Sequence, residues 1–484
     1  MAMNQATNQA TNQETNQPIT SWVNRSPGDL RVELAEVAAT AVEPVVKRAV
    51  QAAPDWAKQP LADRVACLRK AQSALVNAQD SLAYGIALET GKPLREAKGE
   101  VGAVIAKIDL TIADAERYLP PRAVTDGPHP AQVRRRSKGP AAIVGPFNFP
   151  LHLPHGAAVA HLLAGNPVVF KPSPLAANVA AQYSQLIQAS LPEGVFGLVQ
   201  GGAPEGEALC LHPKIRAVSF TGSVPVGRSL AQALAADFSK DLALELGGKN
   251  ALIVCADADL SAAAKAAAEG ACLTAGQRCN ATSRVLVQRQ VAEPFLELFL
   301  AALAHYQPGD PLNIETTLGP LINQTAVERF QRLLAQTGGQ WLLPGAVEPE
   351  VNGKPGYYVR PGVMLWQERA VGLASALHCQ EAFAPLVEVF IVEDLEDALA
   401  VHNSTPFGLT TSIFTRSQAQ FEALADCLQV GNVYANLATT FSPSTLPFGG
   451  LGESGNGKPG GREFIRFVTD EQAVQIAASS FSSP

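Results

Sequence analysis

Ile143-Val144-Gly145-Pro146-Phe147-Asn148-Phe149-Pro150 is an apolar run that ends in a Gly-Pro break, and a helical pattern from His155 to Leu163 follows it. The next apolar run, Pro167 to Phe170, ends in Lys171-Pro172-Ser173-Pro174, and a second helical pattern spans Ala176 to Ser190. Strand-then-helix units of this kind build parallel, doubly wound sheets. We therefore predict an α/β fold.

Further strands continue this pattern on the C-terminal side. Their predicted positions are Gly197–Gln200, Ala217–Phe220, Leu242–Leu246 and Asn250–Cys255. Strands and helices then alternate to about Leu428, which requires a second α/β domain. Within it, Gln340 to Pro361 is rich in glycine and proline, and we expect a surface excursion between strands.

The region before the first strand has a different character. Apolar residues recur at three- and four-residue steps from about Val42 to Tyr118, so helices are expected there, punctuated at Pro54, Pro60 and Gly91-Lys92-Pro93. Asn4 to Gln17 is a polar repeat, for which we expect disorder.

Composition limits the possible classes of function. At 484 residues the chain is long enough for two or three domains, and its net charge of −7 argues against nucleic acid or an anionic membrane as a partner. Seven dispersed cysteines without a CxxC pair disfavour disulfides and a metal site. No signal peptide or membrane span is recognisable, so we expect a reducing, cytoplasmic location.

A glycine-rich turn follows the strand that ends at Phe220. Thr221-Gly222-Ser223 leads into a helix that carries Gly227, and the N-terminus of such a helix suits a phosphate group. The spacing is not the standard dinucleotide fingerprint, and a plain strand-to-helix turn is about as consistent with it.

The candidate nucleophile is Cys279, in the loop Gly276-Gln277-Arg278-Cys279. Most free cysteines are inert and buried. Here Arg278 adds a positive charge that favours the thiolate, and Gly276 allows a close approach of the backbone. A helix that Asp257 or Asp259 can cap, running to Leu273, delivers this loop.

Two segments suggest strands outside the main sheets. Val133 to Ser137 carries three arginines, which we interpret as a solvated edge strand rather than a nucleic-acid patch. Phe464 to Val474 has the pattern of an apolar strand that pairs with another segment or another subunit.

Four separated segments together resemble the NAD(P)-dependent aldehyde dehydrogenase superfamily over residues 20 to 475. They are Pro146-Phe147-Asn148-Phe149-Pro150, Glu245-Leu246-Gly247-Gly248-Lys249, Gly276-Gln277-Arg278-Cys279 and Pro447-Phe448-Gly449-Gly450. The resemblance implies a doubly wound cofactor domain, a second α/β catalytic domain and a small oligomerisation extension. The corresponding ranges are 1–19 for a disordered tail, 20–246 for the cofactor domain with 118–138 in the extension, 247–445 for the catalytic domain and 446–484 for a C-terminal segment with an oligomerisation strand.

The same resemblance assigns the chemistry. It implies that Cys279 attacks the aldehyde carbon, that the Asn148 side chain and the Cys279 backbone N–H stabilise the oxyanion, and that Glu245 activates water to hydrolyse the thioester. Partial burial of Glu245 is expected to raise its pKa toward neutrality.

Cofactor contacts are also implied by the resemblance. Lys171 is placed on the adenosine ribose, the turn at Gly222 and Ser223 on the pyrophosphate, and Glu381 on the nicotinamide ribose. Other expected cofactor-binding residues are Ser173, Thr221, Gly227, Leu246, Gly247 and Phe383. NAD is favoured, but NADP remains open because Pro174 stands where many NAD-using relatives have a glutamate.

Three shorter stretches look like the branch of the superfamily that oxidises N-succinylglutamate 5-semialdehyde in arginine catabolism. They are His152-Leu153-Pro154, Ala164-Gly165-Asn166 and Ser454-Gly455-Asn456. Such a substrate carries two carboxylates, so candidate pocket residues are Arg278, His152 and Phe147, with His155 and His161 also nearby in sequence. Each basic residue is more often structural than substrate-binding.

The resemblance further implies homodimers or homotetramers. Three other functions stay open: a broad-specificity or different-substrate aldehyde dehydrogenase, a CoA-acylating relative that would not need Glu245, and a thiol hydrolase that would not need the phosphate-binding turn. A non-catalytic relative is a fourth possibility.

Overall fold

The computed structural model describes residues 21–127 and 129–477. The polar tail predicted for residues 1–19 lies outside this part of the chain. The helices are α1 (Val42–Lys58), α2 (Leu61–Asn77), α3 (Gln79–Thr90), α4 (Leu94–Tyr118), α5 (His152–Leu163), α6 (Ala177–Gln188), α7 (Ala203–Leu211), α8 (Val224–Leu234), α9 (Leu260–Cys272), α10 (Ala292–Leu303), α11 (Gln324–Leu334), α12 (Arg369–Ala374), α13 (Ala376–Cys379), α14 (Leu395–His402), α15 (Gln418–Cys427) and α16 (Phe464–Phe467).

Short and long strands alternate with these helices. They are β1 (Ser21–Trp22), β2 (Arg25–Ser26), β3 (Asp29–Glu33), β4 (Val37–Ala38), β5 (Arg122–Val124), β6 (Ala131–Ser137), β7 (Ala141–Val144), β8 (Val168–Lys171), β9 (Phe196–Leu198), β10 (Ala217–Thr221), β11 (Asp241–Glu245), β12 (Asn250–Val254), β13 (Thr282–Gln288), β14 (Gln340–Val351), β15 (Lys354–Trp366), β16 (Leu386–Val392), β17 (Phe407–Gly408), β18 (Thr410–Phe414), β19 (Asn432–Ala435), β20 (Pro447–Phe448), β21 (Leu451–Gly452), β22 (Gly455–Asn456), β23 (Gly460–Gly461) and β24 (Thr469–Gln475).

Two large sheets carry the fold, which confirms the predicted α/β class. The first has the order β22-β11-β10-β7-β8-β9 and is parallel except for β22, which runs antiparallel to β11. The second has the order β14-β15-β16-β13-β12-β18-β19, with an antiparallel edge at β14. Both sheets contain buried apolar strands, typical of sheets covered on both faces.

The helical region predicted from Val42 to Tyr118 is confirmed, because α1 to α4 occupy it. One predicted break is wrong: Pro54 lies inside α1 and does not end it. Pro60 and Pro93 do precede α2 and α4, and Gly91 ends α3 with φ +75°. The long helix α4 packs against α5, next to the first sheet.

The predicted surface excursion at Gln340–Pro361 is wrong. The segment belongs to a long antiparallel hairpin of β14 and β15, which turns at Asn352 and Gly353, both with positive φ. Proline is compatible with β14 because this strand lies at the edge of the sheet, where N–H groups need no partner strand.

The three-stranded sheet corrects two further predictions. β6, which contains the arginine triplet, is its central strand and not an edge, since β5 and β24 flank it. The stretch Phe464–Val474 is not one strand: its apolar start forms the short helix α16, which packs on α4 and α5, and only β24 pairs with β6.

Candidate active site

The loop that carries Cys279 is held in an unusual backbone conformation. α9, capped by the Asp259 side chain as predicted, ends at Cys272, and Thr274, Ala275 and Gly276 then all have positive φ, from 53° to 68°. A β-branched residue such as Thr274 rarely adopts this conformation, so the surroundings must enforce it. Glu96 of α4 does so by accepting hydrogen bonds from the Thr274 backbone N–H at 2.9 Å and hydroxyl at 2.8 Å.

Two glycines near Cys279, Gly276 in its own loop and Gly248 after β11, have no room for a side chain. A Cβ on Gly276 would lie 2.4 Å from the carbonyl carbon of Ala384, and one on Gly248 would lie 2.3 Å from the Cys279 carbonyl oxygen. The same carbonyl oxygen accepts a hydrogen bond from Asn250 Nδ2 at 2.8 Å. The position of Cys279 is therefore fixed by backbone contacts.

The Cys279 thiol is not activated as the sequence predicted. Burial raises its pKa well above the usual value, and the charges of Glu245 and Glu381 raise it further, while Arg278 lowers it by a smaller amount. Arg278 thus acts in the predicted direction, but it is outweighed. At neutral pH the side chain is a thiol, and deprotonation needs an acceptor.

Glu245 is buried at the carboxyl end of β11 and 1% exposed. Burial raises its pKa to about 8, Glu381 raises it too, and an interaction with Cys279 lowers it. The predicted shift toward neutrality is confirmed in direction, although the burial is complete rather than partial. Thiol and carboxyl therefore face each other.

Asn148 joins the two sheets at this point. Its side chain, 4% exposed, follows β7, and its Nδ2 donates a hydrogen bond to the backbone oxygen of Gln277 at 2.7 Å. Gln277 is anchored in turn, because Ile322 N–H donates to its Oε1 at 2.9 Å. The structure thus brings Asn148, Glu245 and Cys279 together: Glu245 ends strand β11, and the other two lie in separate loops.

The glycine turn after β10 forms a helix N-terminus, as predicted. Ser223 is the N-cap of α8, and its side chain makes no capping bond with any described residue. A Cβ on Gly227 would lie 2.6 Å from Leu246 Cδ2, so the helix packs directly on the strand that bears Glu245. The backbone N–H groups of this end are available to an anion.

Lys171 and Ser173 lie at the carboxyl end of β8. Lys171 is 5% exposed, and its Nζ donates to the Pro172 carbonyl at 3.1 Å. Ser173 caps the short turn Pro174–Ala176, and the Pro174 carbonyl accepts from Asn24 Nδ2 at 2.7 Å. Both residues lie at the carboxyl ends of the strands of the first sheet, as Thr221 does, and ligands of open α/β sheets bind at these ends.

Glu381 and Phe383 lie just before β16, a strand of the second sheet. Glu381 Oε1 accepts from the Gly248 N–H at 3.0 Å, and a Cβ on Gly247 would lie 2.3 Å from Oε2. Burial raises the pKa of Glu381 to about 7, against the lowering effect of Gly248, Arg329 and Lys249. Phe383 has φ +50° and packs edge-on against Phe147, with ring centroids 5.9 Å apart.

The histidines differ in position. His155 Nδ1 bonds the Tyr183 hydroxyl at 2.8 Å and His161 Nδ1 lies 3.1 Å from Asn166 Nδ2, so both have local structural partners. His152 packs against Phe149, and burial lowers its pKa to about 4. At neutral pH it is uncharged and can offer only hydrogen bonds.

Phe149 lies between two cations that the sequence did not place together. Lys92 Nζ is 3.8 Å and Arg278 Cζ is 4.9 Å from its ring centre. Each cation has a carboxylate partner on α4, Glu100 for Lys92 and Glu96 for Arg278, the latter at 3.3 Å. The signal was visible in the four-residue spacing of Glu96 and Glu100 on an otherwise apolar helix face.

Two kinds of site find no support in the described residues. Residues 21–127 and 129–477 contain no cluster of three potential metal-ligating side chains. Within the same ranges, no helix is long and apolar enough to cross a bilayer.

A half-buried thiol, a buried carboxyl and a buried amide that meet between two α/β sheets, beside a helix N-terminus, fit an enzyme that acts on a carbonyl group with the help of a nucleotide cofactor. The model of the aldehyde dehydrogenase family matches residues 11–474. The chain belongs to this family and is an NAD(P)-dependent aldehyde oxidoreductase.

Similar proteins agree with this assignment. N-succinylglutamate 5-semialdehyde dehydrogenase of Chromohalobacter salexigens is 36% identical over 429 residues, 87% of this chain and 85% of the relative. The enzyme of the same name from Cronobacter sakazakii is 36% identical over 451 residues, 90% and 86% of the two chains.

Solved structures show the same fold. A putative aldehyde dehydrogenase from Burkholderia cenocepacia has a TM-score of 0.89 and 29% identity, covering 96% of this chain and 95% of its own. The indole-3-acetaldehyde dehydrogenase of P. syringae, solved with NAD+ and IAA, has a TM-score of 0.89 and 28% identity, covering 94% and 93%.

Proposed function

We propose that this protein oxidises N-succinyl-L-glutamate 5-semialdehyde to N-succinyl-L-glutamate, with Cys279 as nucleophile, Asn148 in the oxyanion site and Glu245 as general base. The observation that carries the catalytic part is the convergence of these three side chains in one buried site. The names of the relatives described above support the substrate.

The first step is attack of the Cys279 sulfur on the aldehyde carbon. Because the thiol pKa is raised, the proton must leave as the S–C bond forms, and Glu245, which faces the thiol, can take it in the fraction of molecules in which its carboxyl is ionised. The developing oxyanion needs fixed donors. Asn148 Nδ2 has a second N–H beyond the one used by Gln277, and the backbone N–H of Cys279 is the other candidate.

The second step is hydrolysis of the thioester left on Cys279. With a pKa of about 8, Glu245 is partly ionised near neutral pH, and its ionised form can accept a proton from water. A carboxylate is needed for this role, which disfavours a CoA-acylating function, where the acceptor is a thiol.

The residues present fit a dinucleotide. The uncapped N-terminus of α8 at Ser223 offers N–H groups to a pyrophosphate, and the Gly247–Gly248 turn holds Glu381 where a ribose hydroxyl could be bound. When bound, an oxidised nicotinamide accepts the hydride from the substrate carbon. We favour NAD, although Pro174 places no acidic side chain against a 2′-phosphate.

Recognition of two substrate carboxylates requires positive charge. Arg278 is the better candidate of the two sequence-predicted basic residues, because His152 is uncharged at neutral pH. The side chain of Arg278 is 14% exposed and held over Phe149. Glu96 compensates part of its charge, so we expect Arg278 to contribute to KM rather than to kcat.

We also propose that the protein forms homodimers or homotetramers through the three-stranded sheet of β5, β6 and β24. Four successive residues of β24, from Asp470 to Ala473, are exposed. Size-exclusion chromatography with light scattering measures the state, and a monomer would contradict this proposal.

An aldehyde panel with NAD or NADP, followed by the absorbance of the reduced nicotinamide, tests the function. We expect the highest kcat/KM for N-succinylglutamate 5-semialdehyde, and loss of oxidation in Cys279→Ala with cofactor binding retained. Cys427→Ala, which changes an exposed cysteine, is the matched control. Higher kcat/KM for an uncharged aldehyde would reject the substrate, and full activity of Cys279→Ala would reject the mechanism.

A further inference from the structure

Two buried polar side chains of the first sheet, Ser219 and Glu245, line one cavity, and Glu245 also faces the Cys279 thiol. Ser219 Oγ and both carboxyl oxygens of Glu245 form no aligned hydrogen bond with any residue of the described chain. Ser219 is 3% exposed and Glu245 is 1% exposed. Buried polar groups are nearly always satisfied by protein or by ordered water, so each of these groups calls for a partner.

The strand register explains why the side chains of Ser219 and Glu245 lie on the same face of the first sheet. Thr221 of β10 lies opposite Glu245 of β11, and Ser219 stands two residues before Thr221. Side chains two residues apart in a strand share one face. Ile143 of β7 lies beside Ser219 on the other side, so this face spans three parallel strands.

A small cavity lies on that face. Its wall combines Ser219, Thr221 and Glu245 of the sheet with Leu153, Pro154 and Ala157 of α5 and with Pro459–Gly460. Among the described residues Cys279 does not belong to this wall. The cavity volume of about 10 Å3 has room for one water molecule.

We propose that this cavity binds one water molecule, held by Ser219 Oγ and hydrogen-bonded to Glu245, and that this water stabilises the ionised form of Glu245 that accepts the proton during thioester hydrolysis. The proposal rests on the proposed role of Glu245 as general base. Ser219 contacts the water and not the substrate, so it is a positioning residue.

The proton balance needs no further reagent. As the oxygen of the hydrolytic water bonds to the thioester carbon, its proton goes to the Glu245 carboxylate and the C–S bond breaks, leaving the thiolate. The Glu245 O–H bond then breaks and its proton goes to the Cys279 thiolate, which restores both the thiol and the carboxylate. The water in the cavity stays bound and exchanges no proton in this step. No electrons are exchanged with any other group.

The variants that test this proposal must leave the charged groups around Glu245 unchanged. Cys279 and Glu381 face it from the second domain, and both influence its pKa. From α4, Lys107 Nζ donates a hydrogen bond to the carbonyl of Gly461, next to Gly460 of the cavity wall. The variants below change none of these three groups.

Ser219→Ala tests the inference. Water that donates to a carboxylate favours its charged form, so loss of this water raises the pKa of Glu245 and moves the acid limb of the kcat profile to higher pH. We expect thioester hydrolysis to slow about 5–10-fold at neutral pH, which is less than the ~10²–10⁴-fold that general acid–base catalysis contributes as a whole. The pre-steady-state burst of reduced nicotinamide, which precedes hydrolysis, should stay within about twofold, and the cofactor Kd from calorimetry should not change.

Two more variants separate a positioning role from a structural one. Ser184→Ala removes another buried hydroxyl without a described partner, on α6, and should leave the acid limb in place. Ala157→Val narrows the cavity without touching Ser219 and should reproduce the Ser219→Ala profile. A crystal structure that resolves ordered water should show one molecule at about 2.7–3.2 Å from Ser219 Oγ.

A dry cavity in that crystal structure, or an acid limb that moves no further in Ser219→Ala than in Ser184→Ala, overturns the inference. Glu245→Gln distinguishes the two levels of the proposal. If this variant still hydrolyses the thioester, the role of Glu245 is rejected; if it does not and Ser219→Ala behaves as wild type, only the role of the bound water is rejected.

Discussion

The side-chain amide of Asn148 donates a hydrogen bond to the backbone oxygen of Gln277, with Nδ2 and O 2.7 Å apart. Asn148 follows a strand of the first sheet, and Gln277 stands two residues before the cysteine delivered by α9. A single bond therefore sets the distance between the amide and the nucleophile loop.

Asn148→Ala should lower kcat by about 10²–10³-fold with a smaller effect on KM, because an oxyanion donor acts mainly in the transition state. Steady-state kinetics measure the split. Asn178→Ala, which removes a half-buried amide on α6 far along the chain, serves as the control. A change confined to KM would argue that Asn148 only binds substrate.

Glu245→Gln should stabilise the protein increasingly as pH rises. The folded carboxyl, with a pKa of about 8, keeps a proton that the unfolded chain has released above about pH 4.5. The free energy of unfolding of the wild type therefore falls across this window, whereas the amide does not titrate. Thermal melts at about pH 5 and pH 8 check this, since the Tm difference between variant and wild type should grow with pH.

Glu36→Gln, at an exposed position, is the matched control and should show no growing difference. A Tm difference for Glu245→Gln that is constant over this pH range would show that the carboxyl titrates in the folded protein as in the unfolded chain.

Gly276→Ala should destabilise the protein by ~2–4 kcal/mol. Alanine is strained at φ +68°, and its Cβ would meet the Ala384 carbonyl carbon at 2.4 Å. Gly99→Ala is the control, because nothing lies within 4 Å of its Cβ position on α4 and alanine favours a helix by ~0.5–1 kcal/mol. Denaturant unfolding measures both, and equal stabilities would contradict the packing described for the loop.

Pro174→Glu should weaken NADP binding about tenfold and leave NAD binding unchanged or tighter, since a carboxylate repels a 2′-phosphate but accepts ribose hydroxyls. The backbone contact of Pro174 with Asn24 is kept by any residue. Calorimetric Kd values, with Pro174→Gln as the uncharged control, test this. Equal losses for both cofactors would place the adenosine ribose elsewhere.

Much of this site could be predicted from the sequence, because short motifs with fixed local geometry carry it. The resemblance to the family supplied the roles of Asn148 and Glu245, and the sequence placed all three residues correctly, with Glu245 at the end of a strand and Asn148 and Cys279 in loops beside regular elements. The pKa of Cys279 could not be predicted from the sequence in the same way. It is raised by burial and by Glu381, which lies 102 residues further along the chain. The sequence neighbour Arg278 indicated that its own charge lowers the pKa of Cys279, but it did not indicate that the net shift is upward.

The hairpin of β14 and β15 and the helix α16 were missed for another reason. Proline and glycine mark turns locally, but an edge strand tolerates them, and this depends on which strand lies beside it. The pairing of β6 with β24 likewise joins segments more than 300 residues apart, which no local pattern reports.

The antiparallel pairing of β22 with β11 has a consequence for biosynthesis. Leu244 and Glu245 lie opposite Asn456 and Gly455, so roughly 200 residues must be translated after β11 before its outer edge is covered. At ~5–20 residues per second the unfinished edge stays open for ~10–40 s on the ribosome. A nascent chain of this protein therefore offers chaperones a bare strand edge until β22 has emerged.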